Sequence, residues 1–264
     1  MNFQIPLNPR AVTQFLLRVV GCLVVLSFLS QMTLYLLPNY RSRYYFLAQA
    51  FNVDGEGNIP TFYSFLGLLF SSLLLGVIAY AKNLESCRYK HHWKILSFIF
   101  LYLSLDEVSQ WHEKLVNPMG SLINATGLLY FSWVVPMGFL VAIFLLSYSK
   151  FLFHLPVSTR KLFVAAGALY IGGAIGAEML GGDIVYTTGG SSETLPYLIV
   201  ATIEEFLEML GIVVFIHGLI SYIKTYLGGV SWNIYIPGKN SQVTEHQNIG
   251  IPALSEPAHT NLLK

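Results

Sequence analysis

The sequence predicts an all-α integral membrane bundle of about six transmembrane helices with both termini on the cytoplasmic side, and three observations predict it. The first is composition. Of 264 residues, 54% are apolar and 11% charged, where an average soluble domain carries about 25% charge, and the mean hydropathy is +0.57. Fifteen Lys+Arg and fourteen Asp+Glu do not furnish the charged surface that a soluble chain of this length needs. The same arithmetic excludes a disordered chain, and Cys22 and Cys87 are too few for a secreted disulfide scaffold. A net charge of +1 carries no nucleic-acid signature. The second observation is a series of apolar stretches near the roughly 20 residues that a hydrocarbon core requires. The third is the uneven placement of basic residues along the chain.

Taken in order, the first span covers residues 19–37 and contains no charge. It is longer than the roughly 7–15 residues of a cleaved signal's apolar region. The nearest small-x-small site, Ala48-Gln49-Ala50, lies beyond Arg41 and Arg43, so the span is expected to be retained. Residues 38–60 form an outer loop, with an interfacial run at Arg41-Ser42-Arg43-Tyr44-Tyr45-Phe46. Within that loop Asp54-Gly55-Glu56-Gly57-Asn58 resembles half of a calcium loop, but Phe65 stands where an EF-hand needs its glutamate. Asn58-Ile59-Pro60-Thr61 opens the second span, 61–81, with proline in the first turn where it is tolerated. The third, 95–115, is the weakest, because only eleven residues separate Lys94 from Asp106. The fourth is 128–149, the fifth 162–182 and the sixth 195–223. Together residues 1–224 form the transmembrane domain, and 225–264 read as a polar, flexible cytoplasmic tail.

Sidedness follows from the basic residues. With the N-terminus inside, twelve Lys and Arg fall on inner segments and three (Arg41, Arg43 and Lys114) on outer ones. Discounting Lys239 and Lys264, which lie far from a span, leaves ten against three.

Seven of the fourteen acidic residues fall within three spans: Asp106, Glu107 and Glu113; Glu178; and Glu204, Glu205 and Glu208. Each charge at membrane depth costs about 2.5–3.5 kcal/mol on insertion scales, so each needs a reason. No Lys or Arg lies mid-span to neutralise them. With a rise of 1.5 Å per residue, Asp106 lies about 17 Å and Glu178 about 24 Å above the inner end of its span, and Glu204 about 14 Å below the outer end. A common depth in the outer half is what one shared site produces. Helical spacing places Asp106, Ser109, Gln110 and Glu113 on one stripe, with His112 pointing away. Glu178 has Ala174, Gly181 and Gly182 on its face, which lets another backbone approach, and Gly172 and Gly176 form a GxxxG. Asp106, Glu107, Glu178, Glu204, Glu205 and Glu208 are therefore the candidate cation-binding residues, with a divalent cation as the implied cofactor. His112, Glu113, Asp54, Glu56 and Asn58 are placed at the pocket mouth.

The stretch from Asp106 to Glu113, the run Glu204-Glu205-Phe206-Leu207-Glu208-Met209-Leu210-Gly211, Asn58-Ile59-Pro60-Thr61 and the glycine-rich approach to Glu178 resemble a family of uncharacterised bacterial membrane proteins, often cyanobacterial. The resemblance spans roughly residues 50–220. It implies a bacterial cytoplasmic or thylakoid membrane and no stated activity.

Three functions fit these residues. Acidic groups without buried basic partners suit a site that binds a cation or proton, although six helices without an internal repeat are few for a transporter. Carboxylates with His112 suit acid–base or metal chemistry on a lipid or isoprenoid, but no Glu-x-x-His pair, His-Glu-x-x-His or membrane-facing histidine set is present. The third is a structural or assembly subunit whose carboxylates bond a partner. The expected partners are the lipid bilayer and a second copy or membrane complex, with no nucleic acid. Trp111, Trp133 and the tyrosines read as interfacial anchors or packing.

Overall fold

The computed structural model describes residues 8–36, 41–55 and 57–228. Among them every regular element is helical. The long helices are α1 (Pro9–Leu36), α3 (Ile59–Leu84), α4 (Lys90–Ser109), α6 (Val134–His154) and α9 (Leu195–Tyr226), with shorter α2 (Arg41–Phe51) and α5 (Val116–Ile123) between them. α7 (Val157–Ile171) runs through a π-helical segment, Gly172–Ala177, into α8 (Glu178–Thr187). α1, α3, α6 and the continuous Val157–Thr187 helix are long and apolar enough to cross a membrane. Large apolar side chains on α6 face outward, Leu146 78% and Phe139 68% exposed, as a lipid-facing surface requires.

Helix starts follow local chemistry. Asn58 caps α3, its side chain accepting from Thr61 N at 3.2 Å with Pro60 in the first turn. Thr194 caps α9 in the same way, with Pro196 following. The fourth helix begins at Val134 rather than residue 128 and the fifth runs to Thr187 rather than 182. The third ends at Ser109, six residues before the expected boundary at 115.

α9 is the centre of the body. Its residues Met209 and Val213 pack with Val20 and Leu23 of α1, and Ile212, Phe215, Ile216 and Leu219 with α3 and α7. Apolar contact alone does not hold helices together in lipid, so close backbone approach carries the packing. A Cβ at Gly211 would meet Tyr170 N at 2.9 Å and Ala166 O at 3.0 Å, and one at Gly67 would meet Ile212 at 2.8 Å. α3 and α4 are joined by reciprocal serine bonds: Ser72 Oγ donates to Ser97 O at 2.7 Å and Ser97 Oγ to Ser72 O at 2.8 Å. Near the start of α4 Trp93 packs edge-on against Phe151 of α6 with ring centroids 5.0 Å apart. Cys22 and Cys87 are both free.

Candidate functional site

The site begins where α4 stops. Gln110 adopts the left-handed conformation (φ 53°, ψ 42°) and its N–H bonds Asp106 O at 2.8 Å, ending the helix. The chain then turns back so that His112 N donates to Asp106 Oδ1 at 3.2 Å and His112 Nδ1 lies 2.7 Å from Asp106 Oδ2. Asp106 is 8% exposed, and both its oxygens are engaged by one residue. This reverses the helical-wheel expectation: His112 faces Asp106, and Glu113 leaves the stripe for a separate 3-10 turn, where it is exposed. Lys114 donates to Ser109 O at 2.9 Å. The physical reason is the αL residue, which breaks the 100° periodicity on which the stripe depended.

The His112 ring lies 4.8 Å from the ring of Trp133, centroid to centroid. Trp133, just before α6, donates from Nε1 to Glu178 Oε1 at 2.8 Å. Glu178 in turn lies close enough to Glu204 of α9 for the two carboxyl groups to interact. Its position depends on the π segment that precedes it, where six residues rich in glycine widen the helix. A Cβ at Gly173 would meet Glu204 O at 2.7 Å and Glu208 Cγ at 2.9 Å, so the bare backbone admits the acidic turn of α9. Gly172 and Gly176, the expected GxxxG pair, would meet nothing within 4 Å. Gly181 and Gly182 do serve close approach, to Tyr197 and to Tyr130 and Phe131 respectively.

Glu205 and Glu208 lie near enough to Glu204 to interact with it electrostatically. Tyr170 on α7 interacts likewise with Glu208, Glu107, Glu205 and Asp106. Glu107, Glu205 and Glu208 all have interaction partners of their own. At the N-terminal end of α9, Tyr197 OH donates to Asp54 Oδ1 at 3.0 Å, tying the loop before α3 to the start of α9. Asn58 serves the cap of α3 and also donates from Nδ2 to Asn52 O at 2.6 Å and Gln49 O at 3.2 Å. Glu56 lies outside the described residues. Among the described residues no group of three or more His, Cys, Asp and Glu is arranged to hold a metal ion.

Three residues enter this neighbourhood that sequence reasoning passed over: Trp133, Tyr170 and Tyr197. Tyr197 was detectable, since it lies seven residues before Glu204 and eleven before Glu208 on one face of α9. For Trp133 no local signal exists, because an aromatic residue at a helix start ordinarily reads as an interfacial anchor.

These contacts lie within one matched stretch of chain. A family model described as a domain of unknown function (DUF8692) matches residues 16–223. The chain belongs to that family. The matched region runs from within α1 almost to the end of α9, so Asp106, His112, Trp133, Glu178 and Glu204 are all parts of the family domain. No curated protein and no solved structure matches the chain.

Proposed function

We propose that this family member is a six-span membrane protein, with both termini inside, whose carboxyl groups in the outer half of the bilayer bind a proton or a cation. α4 and α9 are the two further crossings. α9 is 32 residues long, about 48 Å at 1.5 Å per residue, which exceeds a hydrocarbon core of about 30 Å. In this scheme Asp106, Glu107, Glu178, Glu204, Glu205 and Glu208 line one pocket, and a divalent cation is the alternative occupant to a proton. The membrane is a bacterial cytoplasmic or thylakoid one, and the exposed apolar faces meet lipid or a second copy.

The observation that carries the proposal is that the Glu178 and Glu204 carboxyl groups, on two helices, lie close enough to interact. Two carboxylates have only acceptors and repel one another, so a proton or a cation between them is what lets them sit together. A shared proton on two helices, with Trp133 fixing one oxygen, makes a site that releases its proton when a cation arrives or when the geometry changes. The test is proton release from detergent-solubilised protein on titration with divalent cations, followed by a pH dye, together with metal analysis of the purified protein. Release, or stoichiometric metal, that is lost in Glu204→Gln supports the proposal. Neither release nor metal, with unchanged stability in Glu204→Gln and Asp106→Asn, leaves a structural subunit as the function.

A second reading draws on the Asp106–His112 pair. A histidine whose Nδ1 is held by a carboxylate has the orientation used in general acid–base catalysis. The corresponding activity is hydrolysis or transfer on a lipid or isoprenoid substrate, tested by turnover that disappears in His112→Gln.

A further inference from the structure

At the opposite end of α9 from Tyr197 lies an open cleft of about 460 Å³ between the start of α1 and the last turns of α9. It is lined by Asn8, Pro9, Arg10, His217, Ser221 and Lys224. On α9 the last three are spaced four and three residues apart, so they share one face. Arg10 and Lys224 are exposed, and no acidic residue lines the cleft. The ring of His217 is anchored by a 2.8 Å contact between Nδ1 and Thr13 Oγ1, and Thr13 Oγ1 also donates to Pro9 O at 2.8 Å. The wall is therefore held between two helices, while the two cations stand in solvent.

We infer that this cleft binds a phosphate-bearing anion. Its volume falls within the roughly 300–1,000 Å³ of small-molecule sites. The cleft is lined by residues that carry a guanidinium, an ammonium and a hydroxyl, the donors that phosphate oxygens accept from. The attraction comes from side chains rather than helix ends. The positive start of α1 and the negative end of α9 lie at the same cleft and offset one another. The site is separate from the acidic residues of the outer half and independent of their role. Two sources share this chemistry: a phospholipid headgroup at the inner surface, and a soluble phosphate monoester.

Native mass spectrometry of the full chain in detergent distinguishes them. The probes are phosphatidylglycerol, phosphatidylcholine and glycerol 3-phosphate. The expected result is one phosphatidylglycerol or one glycerol 3-phosphate retained per chain, more tightly than phosphatidylcholine, and weakened by about tenfold or more in the Arg10→Gln/Lys224→Gln double variant. The charge-conserving pair Arg10→Lys and Lys224→Arg should bind as the wild type does, which separates lost charge from lost folding. Retention of the lipid alone assigns a headgroup site, and retention of glycerol 3-phosphate assigns a soluble ligand. Wild-type binding no tighter than that of phosphatidylcholine overturns the inference. Undiminished binding by the double variant does so as well.

Discussion

Trp133 and Glu178, 45 residues apart in the chain, are joined by an indole-to-carboxyl hydrogen bond of 2.8 Å. The bond links the start of α6 to the residue that follows the π segment, and through Glu178 reaches Glu204 on α9. The same indole packs beside His112, so it touches both the Asp106–His112 pair and Glu178.

Removing that donor leaves a half-buried carboxyl oxygen without its partner. Trp133→Phe is expected to lower stability by about 1–3 kcal/mol, the cost of an unsatisfied polar group. Glu178→Gln keeps an acceptor oxygen for the indole and should cost less. Thermal unfolding in detergent compares the two. An equal loss in both would mean that the hydrogen bond is not what Trp133 contributes.

Gly173 and Gly172 make a matched pair of substitutions. Alanine at Gly173 puts a methyl group 2.7 Å from a backbone oxygen of α9, and overpacking of this kind costs about 1–3 kcal/mol. Alanine at Gly172 meets nothing within 4 Å and should be neutral or stabilising by up to about 1 kcal/mol, since alanine favours the helix. Denaturation of the two variants side by side decides this, and the reverse order would place the α9 contact elsewhere.

The Asp106–His112 contact predicts coupling. Asp106→Asn and His112→Ala should each destabilise, and the double variant should cost less than the sum of the two by about 0.5–3 kcal/mol. Additive losses in a double-mutant cycle would show that the two side chains act independently.

His92 precedes the apolar stretch of α4 and sits among Tyr89, Tyr148 and Phe151, with ring centroids 5.1–5.4 Å away. Burial, with His91 beside it, lowers its pKa below the usual value. Its Nδ1 is buried and has no hydrogen-bond partner among the described residues. The unfolded chain therefore binds the proton more readily than the folded one, and stability rises with pH. The contribution is complete above the unfolded value of about 6.5 and is lost as pH falls below it towards the lower folded value. Unfolding temperatures at pH 7.5 and 5 should differ less in His92→Phe than in the wild type. An identical pH dependence in both would assign the effect to other groups.

Much of the architecture is legible in local pattern. The apolar stretches locate the four helices long enough to cross a membrane, and Asn58 and Pro60 mark the opening of one of them. The error at the third helix has a single cause. Asp106 to Glu113 is continuous with a helical pattern, and nothing in it is a glycine or proline to announce the αL turn at Gln110. Likewise Gly172-x-x-x-Gly176 carries the familiar spacing, yet the close approach falls on Gly173, because the π segment shifts which residue faces α9.

By itself the sequence determined that the chain is helical, with four helices long and apolar enough to cross a membrane, and that the second and sixth of its apolar stretches open at Asn58-Ile59-Pro60 and near Leu195. Those properties depend on hydropathy and on contacts between residues a few positions apart. Only the tertiary structure decided that His112 turns back onto Asp106, that Trp133 holds Glu178, and that Glu178 meets Glu204. Such pairings depend on where a helix breaks and how closely two backbones pack, and no period of 3.6 residues encodes either.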